Sequence, residues 1–211
     1  MRVLVATSNS GKLRDFAGAA RNFGVEIAAL SDFRSLPLVE EDGTTFEANA
    51  RKKAEFYSRF APGEIVLGDD SGLEVSALEG APGVRSARYA ADAGESLTGS
   101  SRAGVDAANN RHLLLQLANV SAPDRSARFV CALAAARDGL TLETFTGEVR
   151  GQILTAPRGQ GGFGYDPLFL VPDLGKTLAE ISAEAKARVS HRGRAFRKFL
   201  EWFHTAAVTS Q

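Results

Sequence analysis

The chain has 211 residues, 44% of them apolar and 24% charged, an ordinary globular composition with ample material for a core. Its 25 lysines and arginines balance 25 aspartates and glutamates, so no net field favours a nucleic-acid polymer or an anionic membrane. No stretch approaches the ~20 apolar residues of a membrane span, and no basic segment followed by a long apolar run marks a signal peptide.

Residues Arg2 to Ala6 read as a short buried strand, followed by the polar turn Thr7-Ser8-Asn9-Ser10-Gly11. A helix is expected next, with Leu13, Phe16, Ala17, Ala20 and Phe23 at three-to-four spacing, and Val25 to Leu30 reads as a second strand. Strand–helix–strand opens an α/β protein. A second helix is expected from Thr45 to Phe60, with Phe46, Ala50, Ala54 and Tyr57 on one face and a capping box formed by Thr44 and Glu47. Glu64 to Gly68 reads as a strand ending in Asp69-Asp70-Ser71-Gly72, after which Leu73 to Leu78 looks extended and Gly80-Ala81-Pro82-Gly83 turns.

Asp92 to Gly104 is rich in small residues and reads as a surface loop, followed by a helix over Val105 to Leu117. Ala127 to Ala136 and Leu140 to Leu154 are expected to form an antiparallel pair turning at Asp138-Gly139. The single cysteine, Cys131, sits in the first of these runs, where it reads as a small core residue. It can form no intrachain disulfide, which fits a reducing cytoplasm. Gly159 to Gly164 leads to Tyr165-Asp166-Pro167 and a short apolar strand. Two helices are then expected, Leu178 to Ala187 and Gly193 to His204, the second burying Phe196, Phe199, Leu200 and Phe203.

Three places carry chemistry. Thr7, Ser8, Asn9, Ser10, Gly11 and Lys12 lie between a strand and a helix, where helix-start N–H groups, hydroxyls and a lysine suit a phosphate. A plain helix cap explains the same residues. A P-loop does not, because Ala6 stands where its first glycine belongs and Leu13 follows the lysine. The adjacent Asp69 and Asp70 suit a hard divalent cation, or else an Asx turn. Glu40-Glu41-Asp42-Gly43 supplies further carboxylates, or a solvated loop. In Gly161-Gly162-Phe163-Gly164-Tyr165-Asp166 an aromatic ring stands between glycines, either to stack on a base or to fill the core. Lys186, His191 and Arg192 add donors; singly, Lys186 reads as a solvated charge and His191 as a cap.

Together these segments, with Ser86-Ala87-Arg88-Tyr89 and Ser190-His191-Arg192-Gly193, resemble the inosine/xanthosine triphosphate pyrophosphatase family nearly end to end. The resemblance implies a central mixed β-sheet flanked by helices, in two lobes with the active-site cleft between them. It implies one pyrophosphatase domain over residues 1–211, a homodimer, and a cytoplasmic enzyme that takes Mg²⁺ as cofactor. The implied reaction cleaves ITP, dITP or XTP to the monophosphate and pyrophosphate. It also implies roles. Thr7 to Lys12 hold the triphosphate. Asp70 accepts the proton and binds metal with a glutamate, Glu40 in preference to Glu41. Asp69 orients Asp70, and Ser71 contacts substrate. Phe163, Gly164, Tyr165, Asp166, Lys186, His191 and Arg192 hold the nucleoside. Lys12 is expected to neutralise charge on the leaving pyrophosphate. His191 and Arg192 are expected to form a donor cluster with no carboxylate near it. One departure stands out: the family's second helix commonly begins Phe-x-Glu-Asn-Ala, whereas here it begins Phe46-Glu47-Ala48-Asn49-Ala50. A pyrophosphatase for pyrimidine or modified-base triphosphates, or a nucleotide-binding sensor without catalysis, are the rival readings.

Overall fold

The computed structural model describes residues 2–20 and 23–209. The strands are β1 (Arg2–Val5), β2 (Glu26–Ala29), β3 (Val66–Val75), β4 (Ser126–Arg137), β5 (Leu140–Ile153), β6 (Phe169–Val171) and β7 (Lys176–Thr177). The helices are α1 (Ser10–Ala20), α2 (Phe46–Ser58), α3 (Tyr89–Asp92), α4 (Arg102–Gln116), α5 (Ala183–Val189) and α6 (His191–Thr209). The strands form one sheet in the order β2-β1-β3-β4-β5-β6-β7. β1 runs parallel to β2 and β3, whereas β6 is antiparallel to both β5 and β7. The expected mixed sheet flanked by helices is what the chain forms. Among the described residues no helix is long and apolar enough to cross a membrane.

The chain divides into two compact units. The first comprises Met1–Asp70, Cys131–Glu148 and Ala187–Gln211; the second comprises Ser71–Val130 and Val149–Lys186. In the first unit the strand period of two sorts side chains between two cores. Val3, Val5 and Leu67 pack with Phe16 of α1 and Phe196 and Phe199 of α6, and Leu4, Ala6 and Val66 pack with Tyr57 of α2. Cys131 is fully buried in the first of these cores, as its apolar neighbours predict. In the second unit the Phe129 and Phe169 rings lie 4.7 Å apart, and Arg125 is 5% exposed. Its guanidinium donates to the carbonyls of Leu117, Val120 and Leu154.

Several boundaries differ from the sequence expectation, each for a local reason. The cap of α2 is Thr45, not Thr44: the Thr45 hydroxyl accepts from the Ala48 N–H at 3.1 Å, so Glu47 stands too early to close a capping box. In α1, Phe16 and Ala20 face the core but Ala17 is exposed, and Phe23 lies past the helix end. α4 starts at Arg102, three residues early, because the Ser101 hydroxyl accepts from the Gly104 N–H. The helix expected from Leu178 begins only at Ala183. Leu178 N–H donates to the Phe169 carbonyl and the Ala179 carbonyl accepts from Gly161, which holds that stretch out of helix. Ser182 then caps the Ala185 N–H. Ser190 likewise accepts from the Gly193 N–H, so α6 begins at His191 and Gly193 lies inside it.

The largest difference concerns Asp69-Asp70-Ser71-Gly72. These residues do not end a strand. They lie inside the ten residues of β3, and only Ser76–Leu78 leave the extended form, as a short 3₁₀ turn. Neighbouring residues of a strand face opposite sides of the sheet. The like charges are therefore separated by the backbone itself.

Candidate functional site

Asp69 follows the phase of Leu67, toward α1 and α6. It is 1% exposed and meets Lys12 Nζ at 2.9 Å and Arg192 Nε at 3.6 Å. Arg192 also pairs with Asp15 at 3.3 Å. The expectation that the Arg192 end has no carboxylate is thus corrected: two aspartates hold it. Burial pushes the Asp69 carboxyl up, but Lys12, Arg192 and Lys53 overcome this and hold it at about 2. Burial, with Lys53 and Arg192 nearby, lowers the Lys12 ammonium despite its carboxylate partner. Asp69 holds these two cations in place.

Asp70 follows the phase of Val66, toward α2. The helix comes unusually close here, because a Cβ on Gly68 would stand 2.5 Å from the Ala50 carbonyl and 2.6 Å from the Ala54 nitrogen. Only glycine permits that approach. It brings Asn49 and Lys53, one turn apart on α2, to the level of the aspartates. Asn49 Nδ2 donates to Asp70 Oδ2 at 2.9 Å, and Lys53 Nζ donates to the Asp69 carbonyl at 2.9 Å. Lys53 also pairs with Glu41 at 2.9 Å. Burial raises the Asp70 carboxyl above its ordinary range, outweighing Asn49, Lys53 and Lys12. For Lys53, burial is outweighed by Asp69, Glu41 and Asp70, and its ammonium is raised. A buried carboxylate that resists ionisation is suited to taking up a proton or to sitting against a cation.

Asn49 and Lys53 were not singled out from the sequence. The available signal was two polar residues at i and i+4 bordering the apolar face of Phe46, Ala50, Ala54 and Tyr57, a spacing that also describes an ordinary helix edge.

In the first turn, the Asn9 side chain accepts from the Gly11 N–H at 2.9 Å and the Lys12 N–H at 3.3 Å, and Thr7 Oγ1 accepts from the Asn9 N–H at 3.1 Å. Asn9 is the cap of α1. The Ser8 and Ser10 side chains stand exposed beside it. The turn therefore caps its own helix and leaves two hydroxyls exposed near the start of α1. Glu40 is exposed, whereas Glu41 is engaged by Lys53. Among the described residues no group of three or more His, Cys, Asp or Glu side chains forms a metal cage.

The remaining candidates in the second unit form their own cluster. Lys186 Nζ lies 2.5 Å from Asp166 Oδ2 and 4.7 Å from the centre of the Phe163 ring, and Asp166 accepts from the Phe163 N–H at 2.8 Å. Lys186 is 5% exposed, so it is no solvated helix charge. Tyr165 is buried and its hydroxyl donates to the Ser86 carbonyl at 2.8 Å. Gly164 is held on both sides, its N–H by Asp106 at 2.8 Å and its carbonyl by Asn110 at 3.0 Å. Phe163 is half-buried, and Ser71 is half-buried in β3. His191 is buried at the start of α6.

The model of the Ham1 family matches residues 3–202. The chain belongs to the Ham1 family. It is similar to the dITP/XTP pyrophosphatase of Acidobacterium capsulatum, with 54% identity covering 95% of this chain and 97% of that one. The dITP/XTP pyrophosphatase of Geobacter sulfurreducens is 49% identical over 92% of each chain. Among solved structures, the Ham1 protein of Staphylococcus aureus superposes with a TM-score of 0.79 at 37% identity, covering 98% of this chain and all of that one. This Ham1 chain thus shares both sequence and fold with its relatives along nearly its whole length.

Proposed function

We propose that this Ham1 protein hydrolyses non-standard purine nucleoside triphosphates (ITP, dITP and XTP) to the monophosphate and pyrophosphate, as one enzyme domain acting in the cytoplasm as a homodimer. The observation that carries the reading is the division of labour across β3. Asp69 is spent on the cations Lys12 and Arg192, while Asp70, on the other face, is buried and holds its proton more tightly than an ordinary aspartate. The relatives' names supply the substrate class.

The donor set fits Mg²⁺, which takes one or two carboxylates from protein and the rest of its shell from phosphate and water. Asp70 and the exposed Glu40 would hold it, Glu41 being engaged by Lys53. When bound, it would neutralise phosphate charge and orient the anhydride for attack. Asp70 accepts the proton of the attacking water. Lys12, fixed by Asp69, neutralises the pyrophosphate as it leaves, and Thr7 to Gly11 line the phosphate chain with hydroxyls. Positioning and charge neutralisation supply most of the rate in phosphoryl-type transfer.

Phe163 to Asp166, Lys186, His191 and Arg192 hold the nucleoside, and Ser71 contacts substrate. Donors meeting the 6-keto oxygen of hypoxanthine or xanthine would meet the amino group of adenine as well, leaving two donors unsatisfied at roughly 1–3 kcal/mol each. The test is pyrophosphate release from ITP, XTP, ATP and GTP, with and without Mg²⁺. The expected result is Mg²⁺-dependent hydrolysis with kcat/KM for ITP and XTP far above that for ATP. Equal use of ATP and ITP overturns the substrate assignment.

A further inference from the structure

Asn49 is 1% exposed, and the hydrogen bonds of its side chain run to the two segments that carry the proposed metal carboxylates. Its Oδ1 accepts from the Gly43 N–H at 2.7 Å, and its Nδ2 donates to Asp70 Oδ2 at 2.9 Å and to the Gly43 carbonyl at 3.4 Å. The assignment of oxygen and nitrogen follows from these partners. A flipped amide would set its oxygen against the Asp70 carboxylate and its NH₂ against the Gly43 N–H. Gly43 is seated on the amide closely enough that a Cβ there would stand 2.6 Å from Asn49 Oδ1. One side chain therefore fixes the carboxylate plane of Asp70 and the backbone that follows Glu40, Glu41 and Asp42.

We infer that Asn49 is a positioning residue that sets Asp70 and the Glu40–Gly43 loop at a fixed distance, so that the two can share one divalent cation bound with the triphosphate. The inference rests on the function proposed above. A group holding a metal ligand typically changes metal affinity or activity about 10–100-fold when removed. The alternative role is only to seal the end of α2, which would affect folding and nothing else.

The experiment uses the full chain as wild type, Asn49→Ala and Gly43→Ala. The second variant keeps the amide but pushes it off Gly43, and it serves where Asn49→Ala fails to fold. Three quantities are measured well below the unfolding midpoint of each protein. They are the kcat and KM for ITP across a Mg²⁺ titration, calorimetric binding of an α,β-methylene ITP analogue with Mg²⁺ and with EDTA, and hydrogen exchange of residues 40–43 in the metal-free protein.

Both variants are expected to need about tenfold or more Mg²⁺ for half-activation and to lose about 10–100-fold in kcat. The KM at saturating Mg²⁺ should stay within about threefold, because the nucleotide's own contacts remain. Analogue binding should weaken at subsaturating Mg²⁺ but not with EDTA, and exchange at residues 40–43 should quicken. Wild-type kcat and Mg²⁺ requirement in a folded variant overturn the inference and leave Asn49 as helix packing. A wild type that releases no pyrophosphate from ITP overturns the proposed function, and the inference falls with it. The wild-type control separates the two failures.

Discussion

Lys12 Nζ and the Asp69 carboxylate meet at 2.9 Å although 57 residues separate them in sequence, and the lysine side chain retains only 17% of its exposure. Lys12 is therefore no exposed lysine at a helix start. It is half of a mostly buried ion pair, and Asp69 is shared with Arg192.

Asp69→Asn should consequently act on stability as well as activity. Removing one partner of a buried pair leaves uncompensated charge, here on Lys12 and Arg192, at about 3–5 kcal/mol. Arg192 keeps Asp15, so the lower end is expected. Urea denaturation should show a midpoint lowered by roughly 1–2 M with an unchanged slope. A midpoint within a few tenths of the wild-type value would mean that the pair carries no stability.

Asp70→Asn should leave the fold intact and abolish turnover. The amide keeps the size of the carboxylate but accepts no proton, and loss of one catalytic base costs ~10²–10⁴ in rate. Nucleotide binding, measured by calorimetry, should remain within about tenfold. Turnover above a tenth of wild type at saturating Mg²⁺ would remove Asp70 from its role.

Arg125→Lys should destabilise the protein without touching its chemistry. A lysine cannot serve carbonyls of Leu117, Val120 and Leu154 in three directions as the guanidinium does. Losing one or two hydrogen bonds from a charged donor amounts to roughly 2–4 kcal/mol. Thermal unfolding should shift downward by several degrees, while kcat at low temperature stays at the wild-type value.

Cys131 should be inert in the native protein. Burial pushes its thiol up to about 12, and the thiolate is the reactive form. At pH 8 that leaves roughly one thiolate in ten thousand. An aromatic disulfide reagent should report no thiol on the native chain and one after denaturation. Stoichiometric labelling before unfolding would contradict the burial.

Sequence by itself determined the α/β class, the positions of β1, α1, β2 and α2, and the β4–β5 pair. Each is set by neighbours in sequence: a period of two or 3.6, a turn at Asp138-Gly139, a run of hydroxyls before a helix. Local chemistry also set the boundaries that were misplaced, since Thr45, Ser101, Ser182 and Ser190 cap helices where several nearby hydroxyls compete for the same task. What only the tertiary structure decided is which charge faces which. That Asp69-Asp70 lies within β3 depends on the strand running on beside β4, past Leu67 where its pairing with β1 ends, and the strand period sends the two carboxylates to opposite faces. The partnership of Lys12, Asp15 and Arg192 depends on α1 and α6 packing on one face. Asn49 reaches Asp70 only because Gly68 lets α2 lie against the strand. Spacing along a chain fixes the direction of a side chain on its own element; the identity of its partner is a property of how elements pack.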